Sequence, residues 1–351
     1  MPSKQKEDLL QRLLDQAVDG KKIFGCSFGY VIVDDRWVGS AGNIGLDQPY
    51  FIASTTKLFT TAIIQQLRSQ GLLKLDDRID RFLDVSILEG LHVYKGKDYA
   101  RQLTIAELLA HTSGLPDYFQ DKNSTGSSLM ESLLSGDDQA WTFEDALNKA
   151  KKLTPHFAPS SRGKAFYSDL NFQLLGKIIE VISGESFSTV CRRKICEPLG
   201  LSATYLYTDP LDNRPMPLYY KDHVLSIPQA MRSFGPDGGM VSTTVDMLTF
   251  LEAFFMGKLF PIEYLDSMKK WNSIFFPMKS GVGIHLFSLP FLMNPFGTIP
   301  AFIGHSGLSG ALAYFDPSKK LFIAGTVNQI ARPDLSFRTM IRLYQTIVKK
   351  L

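Results

Sequence analysis

Apolar residues follow a helical spacing in some parts of the chain and an alternating one in others. Near the start, Leu9, Leu10, Leu13, Leu14 and Val18 recur among charged residues and predict an amphipathic helix. The run "FGCSFGYVIV" then reads as a strand, Asp34-Asp35 as a turn, and "RWVGSAG" as the returning strand. A helix is expected from near Ser54 to Gly71, where glycine suits the C-terminal cap. From about 75 to 235 the pattern is mostly helical, broken by polar loops. Thr104 with Glu107 and Thr142 with Asp145 have the spacing of capping boxes, and "NFQLLGKIIEVISG" forms a further helix ending at Gly184. The polar stretch 123–139 reads as a surface excursion with one helical turn. Thr243, three residues before Asp246, caps another helix. From Gly281 short β-like runs return, with a hairpin turn at Asp316-Pro317, and "SFRTMIRLYQTIVKKL" closes the chain as an amphipathic helix.

Strands at both ends with few crossover units imply one antiparallel sheet built from both termini, an α+β fold with the helical middle packed beside it. The expected organisation is a single domain over 1–351. Its sheet-containing part spans about 1–70 and 236–351, and a helical subdomain spans about 71–235.

Composition narrows the function. A hydrophobic fraction of 44% suffices for a sizeable core, and a net charge of +3 without a basic, aromatic-laced run argues against a nucleic-acid partner. No stretch approaches the ~18 apolar residues of a membrane span. Cys26, Cys191 and Cys196 make no disulfide framework, and the N-terminus lacks the apolar core of a signal peptide. A cytoplasmic location is expected, although a trimmed export signal would look the same. Oligomeric state is left open.

The candidate chemistry starts at "FIASTTKLFT", where Ser54 precedes Lys57 by three residues. Positions i and i+3 share a helix face, so the amine can reach the hydroxyl, and a helix N-terminus favours an oxyanion. Phe51, Ile52, Leu58 and Phe59 are expected to desolvate Lys57 and lower its pKa toward that of a usable base. Alone the spacing is weak. It recurs at Ser3/Lys6, Ser161/Lys164 and Ser267/Lys270, and a capping serine with a solvated lysine is the commoner outcome. Tyr167, in a loop before a helix, is either an aromatic anchor or a general base beside a lysine. In "GHSGLSG" the glycines allow close backbone approach. An edge strand there can offer an oxyanion-holding N–H, while a glycine-rich hairpin with an exposed His305 is the plainer alternative. His111 reads as a last-turn histidine facing carbonyls. His92, His156, His223 and His285 are isolated, so no metal or other cofactor is expected.

Together the three elements resemble the serine β-lactamase and penicillin-binding protein superfamily, in its class C β-lactamase-like branch of esterases, D-stereospecific peptidases and DD-carboxypeptidases. Ser54-Thr-Thr-Lys57 matches the nucleophile motif. Tyr167-Ser168-Asp169 falls at the Tyr-x-Asn position and His305-Ser306-Gly307 at the Lys-Thr-Gly position. "LTIAELLAHTSGLPDY" and "GGMVSTTVDMLTF" look like family segments with structural roles, and the resemblance runs from about 25 to 345. It implies a β-lactamase/transpeptidase-like fold and an acyl-enzyme on Ser54. Lys57 and Tyr167 would manage the proton, and the N–H groups of Ser54 and Leu308 would form the oxyanion hole. His305, Ser306, Gly307 and Asp169 would face the substrate.

Two departures matter. Asp169 stands where an amide is usual, so it would repel an anionic substrate or pair with Lys57, and Asn171 is turned elsewhere by the helix. His305 replaces the lysine that attracts a β-lactam carboxylate, and a required neutral His305 predicts an acidic activity limb near ~6.5. Both departures favour an esterase or a peptidase/amidase on small or D-configured acyl substrates over a dedicated β-lactamase. A DD-carboxypeptidase or weak β-lactamase is the alternative, and a non-catalytic binding module is the alternative of another class. The substrate is thus a small-molecule ester, peptide or β-lactam. Its pocket is expected from loops 115–140 and 205–235, with Tyr118, Tyr207, Tyr219 and Phe234 as lining or packing residues.

Overall fold

The computed structural model describes residues 3–33 and 35–349. Helix α1 (Lys4–Ala17) leads into strands β1 (Gly25–Ile32) and β2 (Asp35–Gly42). Next come helix α2 (Thr56–Ser69), a region of short helices, and helices α3 (Asp169–Ser183) and α4 (Thr244–Phe255). The chain then adds strands β3 (Asn272–Phe275), β4 (Met278–Ser280), β5 (His285–Phe287), β6 (Phe302–Ser306), β7 (Ala311–Asp316) and β8 (Leu321–Thr326). Helix α5 (Asp334–Lys349) ends the described chain. Asp34 of the expected turn, Met1 and Pro2 of the leading segment, and the last two residues of the closing segment lie outside the described residues.

The strands form one eight-stranded antiparallel sheet in the order β3-β4-β5-β6-β7-β8-β1-β2. The two ends of the chain meet where β1 pairs with β8, Ser27 opposite Thr326 through Ile32 opposite Leu321. This is the α+β sheet expected from strands at both termini. Strands β3 and β4 are additional: Asn272–Phe275 and Met278–Ser280 precede Gly281, where the β-like pattern was expected to begin.

Successive strand residues point to opposite faces, and the sheet is buried on both. On one face Phe28, Tyr30, Ile32, Tyr314 and Ile323 pack with Leu10 and Leu14 of α1 and Met340, Leu343 and Ile347 of α5. Leu9, expected on the buried face of α1, is exposed. On the other face Val31, Ala313, Phe315 and Phe322 join a core with α2, α3 and α4. Gly29 lets α4 approach closely, since a Cβ there would lie 2.9 Å from Leu248.

The helical middle is held by local chemistry. Thr104/Glu107 and Thr142/Asp145 both form capping boxes, and Thr243 Oγ1 accepts the Asp246 N–H. Helix α3 stops at Gly184, whose φ of 71° is the left-handed cap. The excursion at 123–139 contains one short helix, Leu129–Leu134, with its own capping box from Ser128 and Glu131.

Candidate active site

Ser54 lies in a single 3-10 turn, Ala53–Thr55, directly before α2. The expected helix therefore starts two residues later than Ser54. Ala53 has φ of +44°, a left-handed conformation that an alanine adopts only under local constraint. Contacts from far along the chain supply that constraint. Tyr50–Phe51 pairs with Met240–Ser242, Ile52 N–H donates to Met240 O, and Thr60 Oγ1 donates to Pro236 O. Ser309 Oγ donates to Phe51 O at 2.7 Å. The segment 236–242 and the turn after β6 thus clamp the Ser54 turn from two sides.

Lys57 is in the first turn of α2 with no exposed surface. Its Nζ donates to Ser54 Oγ at 3.3 Å, to Asp169 Oδ1 at 2.6 Å, and to the Asp237 carbonyl. The expectation of a lysine with lowered pKa is overturned. Burial pushes its pKa down, but Asp169, Tyr167 and the Asp237 carboxyl outweigh burial and hold it above the usual lysine range. Lys57 is a buried ammonium ion. Asp169 therefore does what the alternative expectation for it required and pairs with Lys57. Asn171 is indeed turned away, toward Ser113 (2.7 Å) and His111 (3.1 Å).

Tyr167 reaches Ser54 from the start of α3, its Oη donating to Ser54 Oγ at 2.8 Å. Burial raises its pKa more than Lys57 lowers it, so it rests as a neutral phenol. Its ring stacks on His111 at 4.5 Å. His111 does not face carbonyls from a last helical turn as expected. It is buried, with φ of 56°, and its Nδ1 accepts the Ser168 N–H at 3.1 Å. The Ser168 hydroxyl donates to Pro116 O at 2.8 Å. With the Phe166 N–H donating to His111 O at 2.9 Å, these bonds orient the residues on either side of Tyr167.

Strand β6 brings His305, Ser306 and Gly307 to the same place. β6 is interior to the sheet, not an edge, but its pairing with β5 ends at Gly304 opposite His285. The residues beyond Gly304 are therefore open on that side. Gly307 passes so close to the Ser54 turn that a Cβ would stand 2.5 Å from Ile52 O and 3.2 Å from Ser54 N. In the following turn Gly307 N–H donates to Ala311 O and Gly310 N–H to Gly307 O; the Leu308 N–H has no backbone acceptor among the described residues. His305 is buried rather than exposed. Its Nδ1 lies 2.9 Å from Ser306 O, and its ring stacks on His285 at 4.0 Å.

Sequence reasoning missed His285. The only signal for it was position: it opens a β-like run that pairs with the His305 strand. Burial first, and Lys57 next, push the His285 pKa down to about 3. His305 is held well below the usual histidine value by burial, His285 and Lys57. His111 is lowered by burial, His285 and Lys57 as well. All three imidazoles are neutral at pH 7.

Ser54, Tyr167, His285, His305 and Leu308 line a cavity of about 670 Å³. Both expected loop regions contribute, through Phe119, Met130, Leu225 and Phe234 among others. Of the four proposed aromatics only Phe234 lines it. Tyr118 is buried and donates to Asp237 Oδ2 at 2.7 Å, Tyr207 packs on Phe51, and Tyr219 stacks on Phe24. Residues 275–278, Leu289 and the α5 side chains Phe337 and Ile341 form walls that the sequence did not suggest.

A serine touched by a buried lysine and a tyrosine, on a sheet closed by both termini, defines the class of serine acyl hydrolases built on the β-lactamase fold. The comparisons agree, and the chain belongs to the Beta-lactamase family, which its sequence matches over residues 10–343. It is similar to a putative D-alanyl-D-alanine carboxypeptidase of Escherichia coli K12, at 24% identity over 83% of this chain and 73% of that one. Among solved structures, a D-stereospecific amidohydrolase from Streptomyces sp. aligns with TM-score 0.77 and 25% identity, covering 95% of this chain and 97% of that one. The D-amino acid amidase of Ochrobactrum anthropi SV3 shares the fold, with TM-score 0.79, 21% identity and coverage of 98% and 99%. The protein is a serine hydrolase of this family.

Proposed function

We propose that Ser54 is the nucleophile of an esterase or amidase that works through an acyl-enzyme. The observation that carries this is the convergence of Lys57 Nζ (3.3 Å) and Tyr167 Oη (2.8 Å) on one hydroxyl from separate parts of the chain. With substrate bound, the Tyr167 hydroxyl turns its proton from Ser54 Oγ to the leaving oxygen or nitrogen; Ser54 Oγ attacks the carbonyl, and its proton passes to Tyr167 Oη as Tyr167 gives up its own. Tyr167 is neutral before and after the step, which suits its raised pKa. The Lys57 ammonium stabilises the negative charge that Ser54 and Tyr167 carry in transit. The N–H groups of Ser54 and Leu308 hold the carbonyl oxygen as it becomes an oxyanion. Water then enters, gives a proton back through Tyr167 to Ser54, and releases the acid. The similarity to a D-stereospecific amidohydrolase supports amides of D-configured acyl groups as a second reading of the same chemistry.

The test is the first seconds of p-nitrophenyl butyrate hydrolysis. A burst of nitrophenol near one equivalent, followed by slower turnover, is expected; release without any intermediate, including under rapid quench, would contradict the acyl-enzyme.

Two further results are expected. Gly307→Ala forces a Cβ against Ile52 O and Ala53 Cβ, 2.5 and 2.8 Å away, so β6 must shift from the Ser54 turn. Losing one oxyanion donor costs about 10²-fold in turnover or more. Assays of Gly307→Ala alongside its thermal unfolding separate this from global destabilisation. The pH profile is expected to have no inflection at the ordinary histidine value of 6.5, contrary to the acidic limb anticipated for His305. A depressed pKa means protonation begins only well below 6.5, so kcat/KM stays flat as pH falls from 7.5 through 6. An inflection centred near 6.5 would show that a titrating histidine controls the reaction.

A further inference from the structure

The cavity is apolar on both sides of Ser54. Met130, Leu134 and Met231 of the helical part form one wall, and Met278, Leu289 and Phe337 form the other. Among its lining residues Phe276 and Met293 are exposed by 73% and 59%, extending the apolar surface outward.

The buried charges that reach the cavity are already answered. Asp169 is paired with Lys57 at 2.6 Å, and the Asp237 carboxyl accepts the Tyr118 hydroxyl at 2.7 Å. Arg338 is the one lysine or arginine lining the cavity among the described residues; its side chain is 67% exposed to water, and it shares Asp334 (3.2 Å) with Arg332. A substrate carboxylate in the buried part of the cavity would therefore find no unpaired cation to meet it, at the cost of desolvating an unpaired charge.

In place of a cation the cavity presents two stacked imidazoles. His305 Nε2 and both ring nitrogens of His285 are buried without a hydrogen-bond partner. The Ser306 carbonyl takes the His305 Nδ1 proton, which leaves His305 Nε2 as an acceptor, while neutral His285 offers one donor and one acceptor; the set suits an uncharged amide group. Burial and the nearby Lys57 keep both rings neutral.

We infer that this site takes neutral esters or amides with a medium-chain apolar acyl group, and that the His285–His305 pair makes it discriminate against substrates carrying a carboxylate beside the scissile bond. The inference rests on the reading of this cavity as the substrate site of Ser54. It separates the protein from an activity on chain ends that terminate in a free carboxylate.

The experiment is calorimetric binding to the Ser54→Ala protein, which needs no turnover. Three ligands are compared: N-octanoyl-D-alaninamide, N-octanoyl-D-alanine and N-acetyl-D-alaninamide. The neutral octanoyl amide is expected to bind at least about thirtyfold more tightly than the acetyl amide, given up to about fourfold per buried methylene. It is expected to exceed its carboxylate counterpart by about tenfold or more, the scale of one unpaired charged group. Equal or tighter binding of the carboxylate, no gain from chain length, or no binding of any of the three would overturn the inference. Failure of the wild type to acylate while these preferences hold would instead count against the catalytic reading alone.

Discussion

Lys57→Met is expected to lower turnover on p-nitrophenyl butyrate by about 10³-fold or more and to destabilise the fold by about 3–5 kcal/mol. Methionine keeps most of the volume and removes the charge, so packing is not the cause. The ammonium group sits among Asp169, Asp237 and, one shell out, Asp117, whose Oδ1 accepts the Asp169 N–H at 3.3 Å. Burial first, and Asp169 next, already raise the pKa values of Asp117 and Asp237. Without Lys57 the Asp169 carboxylate is stranded beside two other acids, and breaking a buried pair from one side leaves that charge uncompensated. Activity falls separately, because Ser54 and Tyr167 lose the cation 3.3 Å from Ser54 Oγ.

Adding Asp169→Asn to Lys57→Met separates the two effects. The double variant is expected to recover about half of the lost stability and almost none of the turnover, a coupling readable from urea midpoints and initial rates. A Lys57→Met protein with an unchanged midpoint would show that the pair contributes nothing to the fold.

How far the sequence could reach follows from how local each feature is. The Ser54/Lys57 spacing, the capping threonines and Gly184 depend on neighbours within a few residues, and these were legible. The sheet was legible as a class because both ends of the chain alternate. Its register was not, and register is what sets His285 opposite Gly304 and stacks it on His305. The charge state of Lys57 failed for the same reason. Its sequence neighbours are apolar and suggest desolvation, but the group that decides the matter is Asp169, 112 residues away. His111 read as a helix end because its partners, Ser168 and Tyr167, lie more than fifty residues on. The cavity walls from 275–278 and α5 could not be read at all. Apolar residues in those segments are indistinguishable by pattern from core residues until the strands and the last helix are placed.

The central claim is that Ser54 carries the acyl group. It is tested most directly by mass spectrometry of protein quenched within the first second of reaction with p-nitrophenyl butyrate, alongside Ser54→Ala. The account predicts one butyryl adduct per chain, mapped to the peptide containing Ser54. In Ser54→Ala the adduct is absent and turnover falls by at least about 10⁴-fold, since the catalytic groups act as a unit. An adduct on another residue, or a Ser54→Ala protein that still turns over at a comparable rate, would contradict it.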